Sequence, residues 1–125
     1  MADAPSFDIP ARPERRFPAG GGLEYDGGAM FVLDPDGDHG DAALAALVED
    51  VLADGPYRSG DFVELPMPLY LVRDDETADV FRVSVRAGSV RLHVLPETEP
   101  PGLRAFFDRL VAASDADWTV ACREA

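Results

Sequence analysis

Lysine is absent from this chain of 125 residues, and all eleven basic side chains are arginine. Cysteine is reduced to Cys122, which excludes an internal disulfide and fits a reducing compartment. No apolar run approaches the roughly 20 residues that a membrane-spanning helix needs. The opening "MADAPSFDIPARPERRFPAGGG" has no apolar stretch between its charges, so it does not read as a secretory signal, and the expected location is cytoplasmic. Histidine is limited to His39 and His93, and there is no G-x-S-x-G, no phosphate-loop glycine pattern and no H-E-x-x-H. Nothing supplies a nucleophile, a base and an orienting group together, so the sequence points away from an enzyme. No cofactor is expected.

What is abundant is negative charge. Asp and Glu total 24, of which 16 are Asp, for a formal net charge of −13. An acidic, lysine-free composition is halophile-like. At high salt the Debye length falls to roughly 3 Å, so dense surface carboxylates repel one another far less. The competing origin is an acidic protein of a GC-rich genome, because charge reports on solubility and not on fold. The sign of the charge disfavours non-specific nucleic-acid binding, whose affinity comes from neutralising phosphates.

A 46% apolar fraction and this length suit one domain with a true core. Residues 1–22 carry four prolines and a GGG stop, and are expected as a flexible arm, with Arg12, Arg15 and Arg16 as its one local feature. Residues 23–125 are expected as a single α+β domain. "GLEYDGGAMFVL" offers two extended runs around a hairpin turn at Asp26-Gly27-Gly28. In "DAALAALVEDVLADG", Leu44, Leu47, Val48, Val51 and Leu52 make one helical stripe, with Asp41 as N-cap and Gly55 in a left-handed C-terminal turn. Leu103, Phe106, Phe107, Leu110 and Val111 repeat that spacing in a second helix beginning near Thr98 and Pro100. "DFVELPMPLYLV" is extended but broken by Pro66 and Pro68, so this part is expected to sit at a sheet edge or cross between strands. "DWTVAC" ends the chain as a last strand, with Trp118, Val120 and Cys122 on one side and Cys122 joining the core.

Between them, residues 69–95 read as a three-stranded antiparallel meander. A two-residue tip at Ala87-Gly88 sets Val85 against Val90, Val83 against Leu92 and Phe81 against Val94, all apolar. The other face pairs Ser84 with Arg91 and Arg82 with His93, and a one-residue slip would mix the sets. For the preceding strand, setting Leu71 against Phe81 and Leu69 against Val83 keeps leucine inward and turns Tyr70 outward beside Arg82. Burying both helical stripes on the inner face gives a two-layer sandwich of a mostly antiparallel sheet with two helices on one side.

Two constellations remain. Asp34, Asp36 and Asp38 resemble the opening of a calcium loop, but the glycine position holds His39 and the closing carboxylate position holds Ala45, so they are weak metal candidates and no metal is assigned. The outward face of the meander collects Tyr70, Arg82, Arg86, Arg91 and His93, residue types that concentrate in protein interfaces. The expected function is therefore a small cytosolic interaction protein that docks a protein partner or a second copy through this Arg/Tyr face. The alternatives are a nucleic-acid-associated accessory protein, and a small metal-dependent enzyme.

Overall fold

The computed structural model describes residues 7–10, 13–16, 24–26, 28–37, 39–61, 69–114 and 116–124. In chain order the elements are β1 (Glu14–Arg16), β2 (Glu24–Asp26), β3 (Ala29–Pro35), α1 (Asp41–Asp54), β4 (Tyr57–Asp61), β5 (Leu69–Asp74), β6 (Val80–Arg86), β7 (Ser89–His93), α2 (Pro100–Ala112) and β8 (Trp118–Glu124). Six strands form one antiparallel sheet in the order β4-β5-β6-β7-β3-β8, and β1 pairs with β2 in a separate two-stranded sheet.

Both helices cover the same face of the larger sheet, completing a two-layer α+β sandwich. The stripe of α1 (Leu44, Val48, Val51, Leu52) and that of α2 (Leu103, Phe106, Phe107, Leu110) are buried with Phe31, Leu33, Val72, Phe81, Val83, Val85, Val90 and Leu92 of the strands. Aromatic edges knit the layers. Phe106 meets Phe81 edge-on at 5.7 Å, and Phe7 touches Phe31 at 5.2 Å and Phe107 at 5.5 Å between ring centres. Such pairs add about 0.5–1.5 kcal/mol each beyond area burial. The segment expected as an arm thus contributes Phe7 to the core and Glu14–Arg16 to a strand. Arg12 lies outside the described residues.

The hairpin tip stands as expected. Ala87 and Gly88 both have positive φ, 53° and 76°, the geometry of a primed two-residue turn. Val85 faces Val90, Val83 faces Leu92, Ser84 faces Arg91 and Arg82 faces His93.

The strand before it is shifted by one residue from the expected register. Tyr70 pairs with Val83, Leu71 with Arg82 and Val72 with Phe81. The turn decides this. Asp74 N–H donates to the Asp79 carbonyl at 2.8 Å, and the Asp74 carboxylate accepts from Glu76 N–H at 2.8 Å and Thr77 N–H at 3.2 Å. A turn closed between Asp74 and Asp79 dictates every pair behind it.

Other expectations are corrected locally. Among the described residues β2 pairs with β1 and not with β3. At Gly28, φ is +99° and an added Cβ would lie 2.9 Å from the Pro13 ring, so the chain passes there from one sheet to the other. The N-cap of α1 is Gly40, while Asp41 begins the helix and accepts the Gly88 N–H at 2.8 Å, tying the helix start to the hairpin tip. Gly55 is extended (φ −94°), and it is glycine because a Cβ would come within 2.5 Å of the Tyr57 ring. Pro66 and Pro68 lie outside the described residues, and the part of that segment that follows them, Leu69–Asp74, is β5, which lies between β4 and β6 and not at an edge.

The start of α2 is held by Asp79. Its Oδ2 accepts the Gly102 N–H at 2.6 Å, satisfying one of the amides that a helix N-terminus leaves open. Burial raises the Asp79 pKa, outweighing that hydrogen bond. A Cβ on Gly102 would sit 2.4 Å from both Cβ and Oδ2 of Asp79. Gly102→Ala is therefore expected to destabilise the fold by about 1–3 kcal/mol through overpacking, even though alanine favours helix. Urea denaturation checks it, and unchanged or higher stability would contradict the contact.

Candidate functional site

The face of the six-stranded sheet turned away from the helices carries the residues singled out above, with one exchange. Tyr70 is only 6% exposed and lies among the core residues, where its hydroxyl donates to Glu49 Oε1 on α1 at 3.0 Å. Leu71, 39% exposed, takes its place outside. The cross-strand row is Leu71–Arg82–His93–Met30–Arg123, running over β5, β6, β7, β3 and β8. The next row sets Ser84, Arg91, Val32 and Ala121 side by side.

At the centre, Ser84 Oγ and His93 Nε2 are hydrogen-bonded at 2.7 Å, with Arg82 across from the histidine and Arg91 across from the serine. Ser84 is buried and His93 half-buried. Burial, then the positive charges of Arg82 and Arg91, lower the His93 pKa to about 4. The imidazole is neutral at pH 7 and needs no counter-ion. Arg86, at the exposed end of β6, stands apart from this group.

The basic character extends beyond what the meander alone suggested. Alternation along the paired strands puts Arg58, Arg73, Arg82, Arg86, Arg91 and Arg123 on this one face, six of the chain's eleven arginines. Arg58 and Arg73 oppose each other directly, an unfavourable pairing that Asp75 relieves from the adjoining turn, 3.0 Å from one and 3.9 Å from the other. The acidic side chain within the described strands of this face is Asp34, which accepts the Ser89 hydroxyl. The sequence could have revealed Arg58, Arg73 and Arg123 only with the strand order in hand, since they lie on β4, β5 and β8.

On the helix side α1 is opposite in character, whereas α2 carries Arg104 and Arg109 beside Asp108. Asp41, Glu49, Asp50 and Asp54 line α1, which has no basic residue. The C-terminal ends of α1 and α2 flank an open cavity of about 570 Å³, bordered by Asp50, Asp54, Gly55 and Arg109. Arg109 donates to the Tyr57 hydroxyl at 3.0 Å.

The remaining candidates separate. Asp34 is engaged by Ser89, and Asp36 Oδ1 accepts the Asp117 N–H at 3.0 Å, while Asp38 lies outside the described residues. Among the described residues no group of three potential ligands is placed to hold a metal ion. Cys122 does not join the core as expected. Its strand is the outermost of the sheet, and the thiol is exposed. Among the described residues no helix is long and apolar enough to cross a membrane. No protein-family model, curated protein or solved structure matches this chain.

Proposed function

We propose that this small α+β domain works by binding, docking an acidic protein partner in the cytoplasm on the sheet face its helices leave bare. The observation that carries this reading is the concentration of six of eleven arginines on that face of a chain with net charge −13. Complementary potential steers encounter and rejects like-charged surfaces. Leu71 and Met30 lie in the same row as Arg82 and add apolar area between the guanidinium groups. The acidic remainder of the surface keeps the chain apart from other acidic surfaces and suits a salt-rich cytoplasm.

The test replaces Arg82 and Arg86 together by Glu. Arg86 is exposed and Arg82 half-buried with its Nε out of solvent, so thermal melts first establish that the double variant remains folded. Binding of an Asp/Glu-rich peptide, measured by fluorescence anisotropy at low salt, should weaken by about tenfold or more. Equal affinity for wild type and double variant would remove this function from the face. A duplex DNA probe bound more tightly than the peptide, with a steep loss on adding salt, would assign the face to phosphate instead.

A further inference from the structure

The outer edge of β8 carries an interaction of a different kind, independent of the arginine face. Its seven residues pair with β3 in an unbroken ladder from Trp118 to Glu124, without proline, glycine or bulge. Among the described residues no strand lies on its other side. Long regular edges of this type are the ones natural proteins usually blunt, because their open amides and carbonyls accept another strand.

Which backbone groups are open follows from the ladder. Asp36 N–H donates to the Asp117 carbonyl at 2.8 Å across the β3–β8 pair. Hydrogen-bonded pairs recur every second residue in an antiparallel ladder, so Thr119, Ala121 and Arg123 face β3. The amides and carbonyls of Trp118 and Val120 then point away from the sheet. On the helix side of this edge the side chains of Trp118 and Val120 are only half-buried against the core.

We propose that β8 pairs antiparallel with β8 of a second copy of this chain, with the two-fold axis at Val120, joining the two sheets into one. In this register Val120 faces its own counterpart, Trp118 faces Cys122 of the second copy, and Asp117 faces Arg123 of the second copy. Asp117 and Arg123 are both exposed and occupy the closely spaced, non-hydrogen-bonded positions, so two opposite-charge pairs form about the axis. Moving the axis by one residue to Ala121 sets Arg123 against Thr119 and dissolves both pairs. The interface is isologous and closes at two copies.

Sedimentation equilibrium of the intact chain over a range of concentrations, with thermal melts of each variant, tests this. Wild type should dimerise reversibly. Val120→Pro removes an outward N–H that the β3 ladder does not use, so the fold should persist while dimerisation weakens by about tenfold or more. Arg123→Asp should also weaken it by setting Asp117 against Asp. The charge swap Asp117→Arg with Arg123→Asp should restore it to near the wild-type constant. A wild type that stays monomeric up to about 1 mM overturns the proposal. So does a dimer untouched by Arg123→Asp, or a charge swap no better than Arg123→Asp alone. Should Val120→Pro fail to fold, the charge pair still decides. Loss of acidic-peptide binding in the Arg82/Arg86 variant leaves this edge untouched, so the two readings fail separately.

Discussion

Acidification from pH 7 to pH 4 is expected to cost the fold about 3 kcal/mol through His93 alone, given its folded pKa of about 4 against an ordinary value near 6.5. In the unfolded chain the imidazole is solvated and takes up its proton near the ordinary value. In the fold it is half-buried, with Arg82 across the ladder and Arg91 two residues back on its own strand, and both repel an imidazolium. Met30, its partner on β3, is uncharged and offers no relief. Between the two pKa values the unfolded state binds more protons, so stability rises with pH there. The contribution is complete above about pH 6.5 and lost by about pH 4. His93→Gln can keep a hydrogen bond to Ser84 Oγ but cannot titrate. The stability difference between wild type and His93→Gln, from urea unfolding at a series of pH values, should therefore shrink by about 3 kcal/mol on going from pH 7 to pH 4. The raised pKa of Asp79 acts in the opposite sense, present at low pH and lost as pH rises, but it is common to both proteins and cancels. A difference that stays constant across this range would show that His93 is not held neutral by its surroundings.

The same electrostatics bear on the docking proposed for the arginine face. A neutral histidine beside Arg82 and Arg91 adds no third positive charge to theirs. An acidic group arriving from a partner would lower the local positive potential and ease protonation of His93. Binding to this face should therefore be accompanied by proton uptake on the acid side of neutrality, by linkage between the two equilibria.

Where the sequence was legible, one hypothesis satisfied several constraints at once. Setting Val83 against Leu92 and Val85 against Val90 filled one face with aliphatic side chains and the other with Ser84, Arg91, Arg82 and His93, so register and face were determined together. Both helical stripes were legible for the same reason. β5 was not legible, because "LYLV" is apolar on both faces and no slip is penalised by hydrophobicity. Its register comes from the Asp74–Asp79 turn, whose hydrogen bonds leave no periodic trace. Cys122 failed for a topological reason. Its parity with Trp118 and Val120 is legible in the sequence, but the place of β8 at the sheet margin depends on strand order. The wider arginine face was hidden likewise, since Arg58 and Arg73 belong to one end of the sheet and Arg123 to the other.

Placing a glutamate at position 70 should unfold the protein, while placing one at position 71 should leave it standing. Tyr70 lies in the core with its hydroxyl on Glu49, so Tyr70→Glu removes a buried ring and sets a carboxylate in its place near another. Loss of the aromatic packing is worth about 3–5 kcal/mol, and a buried charge without a partner adds to it. A domain of this size has about 5–15 kcal/mol of stability in total, so most of it disappears. Leu71 is 39% exposed and faces Arg82 across the ladder. Leu71→Glu gives up little burial and sets an opposite charge beside a guanidinium, a cross-strand pairing worth about 0.2–1 kcal/mol in its favour. Thermal melts followed by far-ultraviolet circular dichroism separate the two outcomes. The alternative register, with Tyr70 opposite Arg82 and Leu71 opposite Phe81, demands the reverse result. A stable Tyr70→Glu beside an unfolded Leu71→Glu would restore tyrosine to the arginine face and move leucine into the core.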